Sequence, residues 1–295
     1  MRIGVPKETK TLEGRIALVP AACGDLVNAG HEVFIEQGAG LKSGFADADF
    51  ERVGVKIAAN AAALYEAGEL IVKVKEPIAG DLELLRKHHL LFCYLHLAPL
   101  PELTQRLVDI GLTGVAFESV EDGHGGLPLL APMSIIAGRI AVQVGTHLLH
   151  QPEGGKGKLL GGLPSAERGK VVVLGAGAAG GNSAALAAAM GANVVVFDKR
   201  PDRLEQMMAL GANVTAFDPA IRLDIEGIPV VSDPLDTVKG AEVLVVLTEW
   251  DEFKWVDLDD VAAAMAVRKI VDTRNLLDRS RARQAGFDYE GIGRR

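Results

Sequence analysis

Residues 170–200, KVVVLGAGAAGGNSAALAAAMGANVVVFDKR, constrain the fold more than any other stretch of this 295-residue chain. An apolar run, Lys170–Leu174, leads into glycines 175, 177 and 180, then an alanine-rich helical stretch, then a second apolar run ending at Asp198. This is G-x-G-x-x-G spacing in a strand–turn–helix–strand context. In such a unit Gly175 makes the tight turn, Gly177 lets a pyrophosphate approach the backbone, and Gly180 lets helix and strand pack closely. The helix start, with Ala176, Ala178 and Ala179, offers N–H groups and a dipole to the phosphates. An acid about 20 residues on can hold the adenosine ribose, and Asp198 stands there. Its charge would repel a 2′-phosphate, so NAD is expected rather than NADP. Lys199 and Arg200 read either as partners for such a phosphate or as solvated residues at a helix start. A tight α/β turn kept only for packing is the competing reading of the whole motif.

The strand–helix rhythm continues on both sides of this turn. Strands are predicted at Arg2–Pro6, Glu32–Gln37, Val55–Ala58, Leu70–Val74, Leu90–Leu95 and Leu112–Phe117, with helical stretches such as PELTQRLVDIG that end in glycine between them. Residues 132–150 read as a long, mostly apolar helix, followed by a Gly- and Pro-rich loop. A second series runs through Lys170–Leu174, Asn193–Phe197, Asn213–Ala216, Val243–Leu247, Lys269–Val271 and a short strand near Tyr289. Strands alternating with helices imply parallel βαβ units. The expected fold is therefore α/β: two Rossmann-like domains with parallel sheets, linked by a long helix. The substrate domain would be 1–131, the helix and loop 132–169, and the cofactor domain 170–295.

Net charge is −8 and no lysine–arginine block stands out, which argues against nucleic acid or a membrane surface as partner. Cys23 and Cys93 each sit in an apolar run and read as reduced core thiols, pointing to the cytoplasm. Neither a signal-like N-terminus nor a membrane-length apolar stretch occurs. No metal is expected, and a homo-oligomer is.

One stretch does not fit a plain core strand. IVKVKEP, residues 71–77, places Lys73 and Lys75 two apart in an apolar run, so on a strand they would share a face. They would be either the lysine guard of an edge strand or a charge aimed into a cleft.

The segments MRIGVPKETKTLEGRIALVP, HEVFIEQGAGLKSGFADADF, IVKVKEP, LFCYLHLAP and LPLLAPMSIIAGRIAVQVG, in this order, resemble the alanine dehydrogenase and transhydrogenase α-subunit family over Met1 to about Gly211. The resemblance implies an NAD-dependent dehydrogenase of a small 2-amino or 2-oxo acid, with its active site between a catalytic and a Rossmann domain. It assigns Arg15 to the substrate carboxylate, Lys75 to the keto acid, His96 to acid–base catalysis and Met133 to the substrate's surroundings. Lys73 would be a solvated neighbour of Lys75. The chemistry is apt: a guanidinium grips a carboxylate in a bidentate fashion, histidine shuttles protons near neutral pH, and lysine polarises a carbonyl as charge develops. Taken singly, each reads equally as a surface ion pair or a satisfied core histidine.

The last 80 or so residues depart from that family's pattern. Its D-x-A-x-D-Q-G-G loop, with a catalytic aspartate, is replaced by KIVDTRNLLDRS. Asp272, at the end of an apolar run, is the expected substitute, and Asp278 reads as solvated or as a helix cap. From Asn213 to Arg294 the chain resembles the nucleotide-sugar-binding domain of UDP-glucose and GDP-mannose dehydrogenases. That likeness makes Thr248, Glu249, Trp250 and Arg274 candidate contacts, with Thr248 also on the cofactor side, unless TEWDEF is only a packed strand-to-helix connection. Two alternatives follow: an opine-type condensation of an amino acid with a keto acid, and a non-catalytic NAD or nucleotide-sugar binder.

Overall fold

The computed structural model describes residues 1–198, 200–210, 213–214, 216–217, 230–231, 233, 235–247, 251–254 and 256–291. They form two compact units, Met1–Leu130 and Ala131–Arg295.

In the first unit, β1 (Arg2–Val5), β2 (Glu32–Glu36), β3 (Lys56–Ala58), β4 (Leu70–Val72), β5 (Leu90–Cys93) and β6 (Thr113–Ala116) make a parallel sheet in the order β3-β2-β1-β4-β5-β6. Its central strands β1 and β4 are buried on both faces, while the edge strand β6 is mostly exposed. Neighbours Ile71 and Val72 enter separate cores, one with Leu64, Leu91 and Cys93, the other with Ile3, Val33 and Phe50. The connecting helices follow local rules. Asn60 caps Ala61–Ala67 by accepting from the Ala63 N–H at 3.0 Å, and Gly111, at φ 73°, ends Pro101–Ile110.

In the second unit, β7 (Lys170–Leu174), β8 (Asn193–Phe197), β9 (Asn213–Val214), β12 (Val243–Val246), β13 (Lys269–Asp272) and β14 (Asp288–Gly291) form another parallel sheet, ordered β14-β13-β12-β7-β8-β9. A separate pair joins β10 (Ala216–Phe217) to β11 (Val230–Val231). Here too the side chains alternate between two cores: Val171, Val173, Val243 and Val245 in one, Val172, Leu174, Leu244 and Val246 in the other. The long helix, Ala131–Leu148, belongs to this unit. It lies so close to the helix Ala178–Ala189 that a Cβ at Gly138 would stand 2.1 Å from the Ala179 carbonyl oxygen.

Each sheet reverses its strand order once, between β1 and β4 and between β7 and β12. In such sheets the carboxyl ends of the strands at the reversal flank the binding crevice. The predicted strands recur at nearly their expected limits, with one informative difference. β4 stops at Val72 rather than Val74, because the Val74 N–H leaves the ladder to donate to the Glu8 carboxylate at 2.7 Å.

Candidate active site

In the first unit, Arg15 lies on the segment after β1, Lys75 after β4 and His96 after β5. All three therefore come from the carboxyl side of the sheet, around its reversal. Glu13 holds the Arg15 guanidinium in a two-point pair, receiving Nε at 2.8 Å and Nη2 at 2.6 Å, and also accepts the Arg15 backbone N–H at 2.9 Å. Burial pushes the Glu13 carboxyl up, but the Arg15 hydrogen bonds and the Lys75 charge outweigh it and hold it below the usual range. Arg15 is raised in turn by its bonds to Glu13. Lys75 is half-buried, and its charge bears on both Glu13 and His96.

His96 has φ 49°, a left-handed conformation uncommon outside glycine. Glu118, just beyond β6, fastens it by accepting the His96 N–H at 2.6 Å and the Leu95 N–H at 3.1 Å. The same carboxylate stands 3.9 Å from His96 Nδ1. The ring stacks on Tyr94 at 5.9 Å and an interplanar angle of 13°, and the Tyr94 hydroxyl donates to the Leu129 carbonyl at 2.6 Å. Burial lowers the His96 pKa, and Lys75 lowers it further against the opposing pull of Glu118 and Glu76. The imidazole is thus neutral at pH 7, the form that accepts a proton. Glu76 is itself almost buried and pairs with Lys10.

Lys73 corrects an expectation. It is not solvated but 1% exposed, between Glu8 Oε2 at 3.6 Å and Asp81 Oδ1 at 3.4 Å. The regular strand ends at Val72, and Lys73, its N–H still donating to the Phe92 carbonyl at 3.1 Å, turns its ammonium inward toward two buried carboxylates.

In the second unit the glycine turn follows β7, again at the reversal. Each glycine has its own reason. Gly175 has φ 90°, and a Cβ on Gly180 would fall 1.6 Å from the Gly175 carbonyl oxygen. At Gly177, which caps the helix Ala178–Ala189 at φ −66°, a Cβ would meet nothing nearer than Arg203 Nη1 at 3.6 Å. Nothing in the described chain demands glycine at 177, and a Cβ there would fill the space that a pyrophosphate needs. With Ala178 and Ala179 opening the helix, the turn fits a dinucleotide.

Asp198 is buried at 1% exposure and ties the turn down. Its Oδ2 accepts the Ala176 N–H at 2.7 Å and its Oδ1 the Arg200 N–H at 2.9 Å, with Arg203 Nη1 3.6 Å from Oδ2. Lys199, Thr248, Glu249 and Trp250 lie outside the described residues. Met133 is on the first turn of the helix Ala131–Leu148, in the second unit.

Asp272 does not fit a catalytic role. It is fully buried, with Oδ1 accepting the Arg274 N–H at 3.0 Å and Oδ2 accepting the Leu277 N–H and the Tyr289 hydroxyl, both at 2.9 Å. Held by three donors and without exposed surface, this carboxylate organises the loop after β13 and is closed off from a substrate. Asp278 caps the helix Arg279–Gln284, accepting the Arg281 N–H at 2.9 Å.

Sequence reasoning passed over Glu8, Glu13, Glu118 and Arg203. Glu13 had a local signal, two residues from Arg15, but Glu118 reaches His96 from the end of the neighbouring strand and only the fold shows it. Among the described residues no group of three or more His, Cys, Asp or Glu is placed to hold a metal ion, and no helix is long and apolar enough to cross a membrane.

Residues 4–137 match the N-terminal domain, and residues 141–272 the C-terminal domain, of the alanine dehydrogenase/PNT family. The second match reaches through residues 213–272, most of the stretch for which a nucleotide-sugar-binding domain was expected, and there it is to the alanine dehydrogenase/PNT C-terminal domain. Over 204 residues the chain is 48% identical to an alanine dehydrogenase of Methanococcus maripaludis, a stretch of 69% of this chain and 55% of the relative. It is 47% identical over 207 residues to that of Bacillus subtilis, covering 70% of this chain and 54% of the relative. The chain thus spans about half the length of the curated relatives it matches. A solved L-alanine dehydrogenase structure superposes with a TM-score of 0.78 at 37% identity, over 95% of this chain and 76% of that one.

Proposed function

Because the chain belongs to the alanine dehydrogenase/PNT family, we propose that it is an NAD-dependent oxidoreductase interconverting a small 2-amino acid and its 2-oxo acid. The place of Arg15, Lys75 and His96 on the segments that follow the carboxyl ends of β1, β4 and β5, around the reversal of one sheet, supports this reading. Arg15, oriented by Glu13, receives the substrate carboxylate. Lys75 polarises the 2-oxo group and stabilises negative charge on its oxygen. His96, neutral at pH 7, takes the proton released as the amine side reacts and returns it in the reverse direction. The bound nicotinamide would supply or accept the hydride at C2. Its dinucleotide would rest on Gly175–Gly180, with Asp198, buried and bonded to the turn's own N–H groups rather than open to the expected ribose, holding that turn in shape. Met133 stays a proposed neighbour of the substrate. A cytoplasmic homo-oligomer belongs to the same proposal, supported by the buried free thiols Cys23 and Cys93 and by the exposed Ile136 and Ile140 one helical turn apart. Light scattering reads the oligomer.

The test is NADH oxidation followed by absorbance with pyruvate and ammonium, for the wild type and for His96→Gln. Turnover lost in the variant while NADH affinity stays is the expected result. No turnover by the wild type, with binding of UDP-glucose instead, would favour the second reading, a nucleotide-sugar site using Arg274. That reading draws on the likeness of residues 213–294 and on the place of Arg274 just past the carboxyl end of β13. Turnover only when a second amino acid replaces ammonium would point to opine-type condensation.

A further inference from the structure

Lys75 sits on a segment with no regular structure, from Lys73 to Ile78, between β4 and the helix Ala79–Leu84. Such a connection is free to vary unless something holds it, yet a group that polarises a substrate must be fixed to a fraction of an ångström. Its first two residues stay bonded to the β5 chain, the Lys73 N–H donating to the Phe92 carbonyl and the Tyr94 N–H to the Val74 carbonyl, both at 3.1 Å; around and beyond them stands buried charge. At the segment's start, the Glu8 carboxylate accepts the Val74 N–H at 2.7 Å and also feels the Lys75 N–H. At its end, Asp81 Oδ2 accepts the Ile78 N–H at 3.0 Å, while its Oδ1 receives the Tyr65 hydroxyl at 2.7 Å. Lys73 joins the two ends, its ammonium facing Glu8 Oε2 and Asp81 Oδ1. Glu8, Lys73, Tyr65 and Asp81 are each at least nine-tenths buried.

Fold stability does not account for this group. Taking three charges out of water costs several kcal/mol per ion, and apolar side chains of similar volume commonly serve a core as well or better. The Lys73 contacts, at 3.4 and 3.6 Å, are ionic rather than tight hydrogen bonds. Burial raises the Glu8 carboxyl despite Lys73 and the two N–H groups, so the carboxylate is kept there against its solvation preference. The group spans the one segment that carries Lys75.

On the premise of the proposed activity, we infer that Glu8, bridged through Lys73 to Asp81, is a positioning residue that sets the Lys75 ammonium against the substrate's 2-oxo group. It touches no substrate itself. Its effect is confined to the acid half of the reaction, because the dinucleotide turn belongs to the other unit.

The experiment measures oxamate, an isostere of a small 2-oxo acid, titrated by calorimetry into NADH-saturated protein, together with NADH affinity and thermal melting. Glu8→Ala is expected to weaken oxamate about tenfold or more and leave NADH affinity within twofold, and Lys73→Met to behave alike. Leu91→Ala, which opens a cavity at a fully buried position on the neighbouring strand β5, controls for softening of the unit and is expected to lower melting without weakening oxamate. If Glu8→Ala does not fold, Glu8→Gln is read in its place, with the same expected direction. Oxamate affinity within twofold of wild type in a folded Glu8 variant overturns the inference, as does an equal loss in Leu91→Ala. A wild type that binds NADH but not oxamate defeats the proposed activity itself, and this inference with it.

Discussion

Gly177 and Gly180 stand three residues apart in one turn, and the structure predicts opposite consequences for adding a methyl group to each. At Gly180 the new Cβ falls 1.6 Å from the Gly175 carbonyl oxygen and 2.8 Å from its carbon. Backbone cannot swing aside as a flexible side chain does, so strand β7 and the helix must separate. Overpacking typically costs about 1–3 kcal/mol, and a backbone clash belongs at the upper end. At roughly 2–4 °C per kcal/mol for a unit of this size, Gly180→Ala should lower the melting temperature by about 6–12 °C. At Gly177 the Cβ has 3.6 Å of clearance and φ is −66°, so alanine brings no clash and no backbone strain. The remaining cost is the poorer capping of alanine, about 1 kcal/mol or less. A pyrophosphate lying over the turn would meet that methyl, and a similar overpacking cost of about 1–3 kcal/mol becomes a 5- to 150-fold weaker NADH complex. Differential scanning fluorimetry and NADH titration by fluorescence read both quantities. Gly177→Ala binding NADH within twofold of wild type would sink the assignment of this turn to the cofactor. Gly180→Ala melting like wild type would show the packing argument to be wrong.

Asp198→Asn replaces an acceptor by an amide that must turn one N–H toward a backbone donor at Ala176 or Arg200. About 1–3 kcal/mol of stability should be lost, seen in melting without any cofactor present. Glu118→Gln removes the charge that raises His96, so the pH midpoint of turnover governed by that imidazole should move to lower pH, and an unmoved pH–rate profile would exclude the coupling. His89 is 2% exposed, accepts the Arg86 N–H at Nδ1 (2.9 Å) and faces the Tyr65 carbonyl through Nε2 at 2.9 Å. A neutral ring suits both partners, and burial holds its pKa below 6.5. The unfolded chain then binds the proton more readily, so this stabilisation is complete above pH 6.5 and is lost as pH falls through the folded value. The stability gap between wild type and His89→Gln should shrink over that range, and a gap constant from pH 7 to about 5 would contradict the assignment.

Much of this protein is legible in its one-dimensional pattern because the information is local. A run such as KVVVL announces a strand buried on both faces, and glycines at fixed offsets announce a tight turn, whose backbone leaves no choice of residue at 175 and 180. Arg15, Lys75 and His96 could be picked out by type and by the motifs around them. Their partners could not. Glu118 meets His96 because β5 and β6 are paired, and Glu8 meets the Lys75 segment because β1 lies beside β4. Neither adjacency is written near either residue. Lys73 and Asp272 show the same limit from the other side. A lysine two positions from another reads as solvated, and an aspartate at a strand end reads as catalytic. What a charged side chain does depends on which carboxylates, N–H groups and hydroxyls close around it. Glu8 and Asp81 enclose the lysine, while Leu277 and Tyr289 saturate the aspartate. Periodicity tells a chain which face of a strand is buried, whereas charge compensation is a property of three-dimensional neighbours, and it exists only once the strands have taken their order.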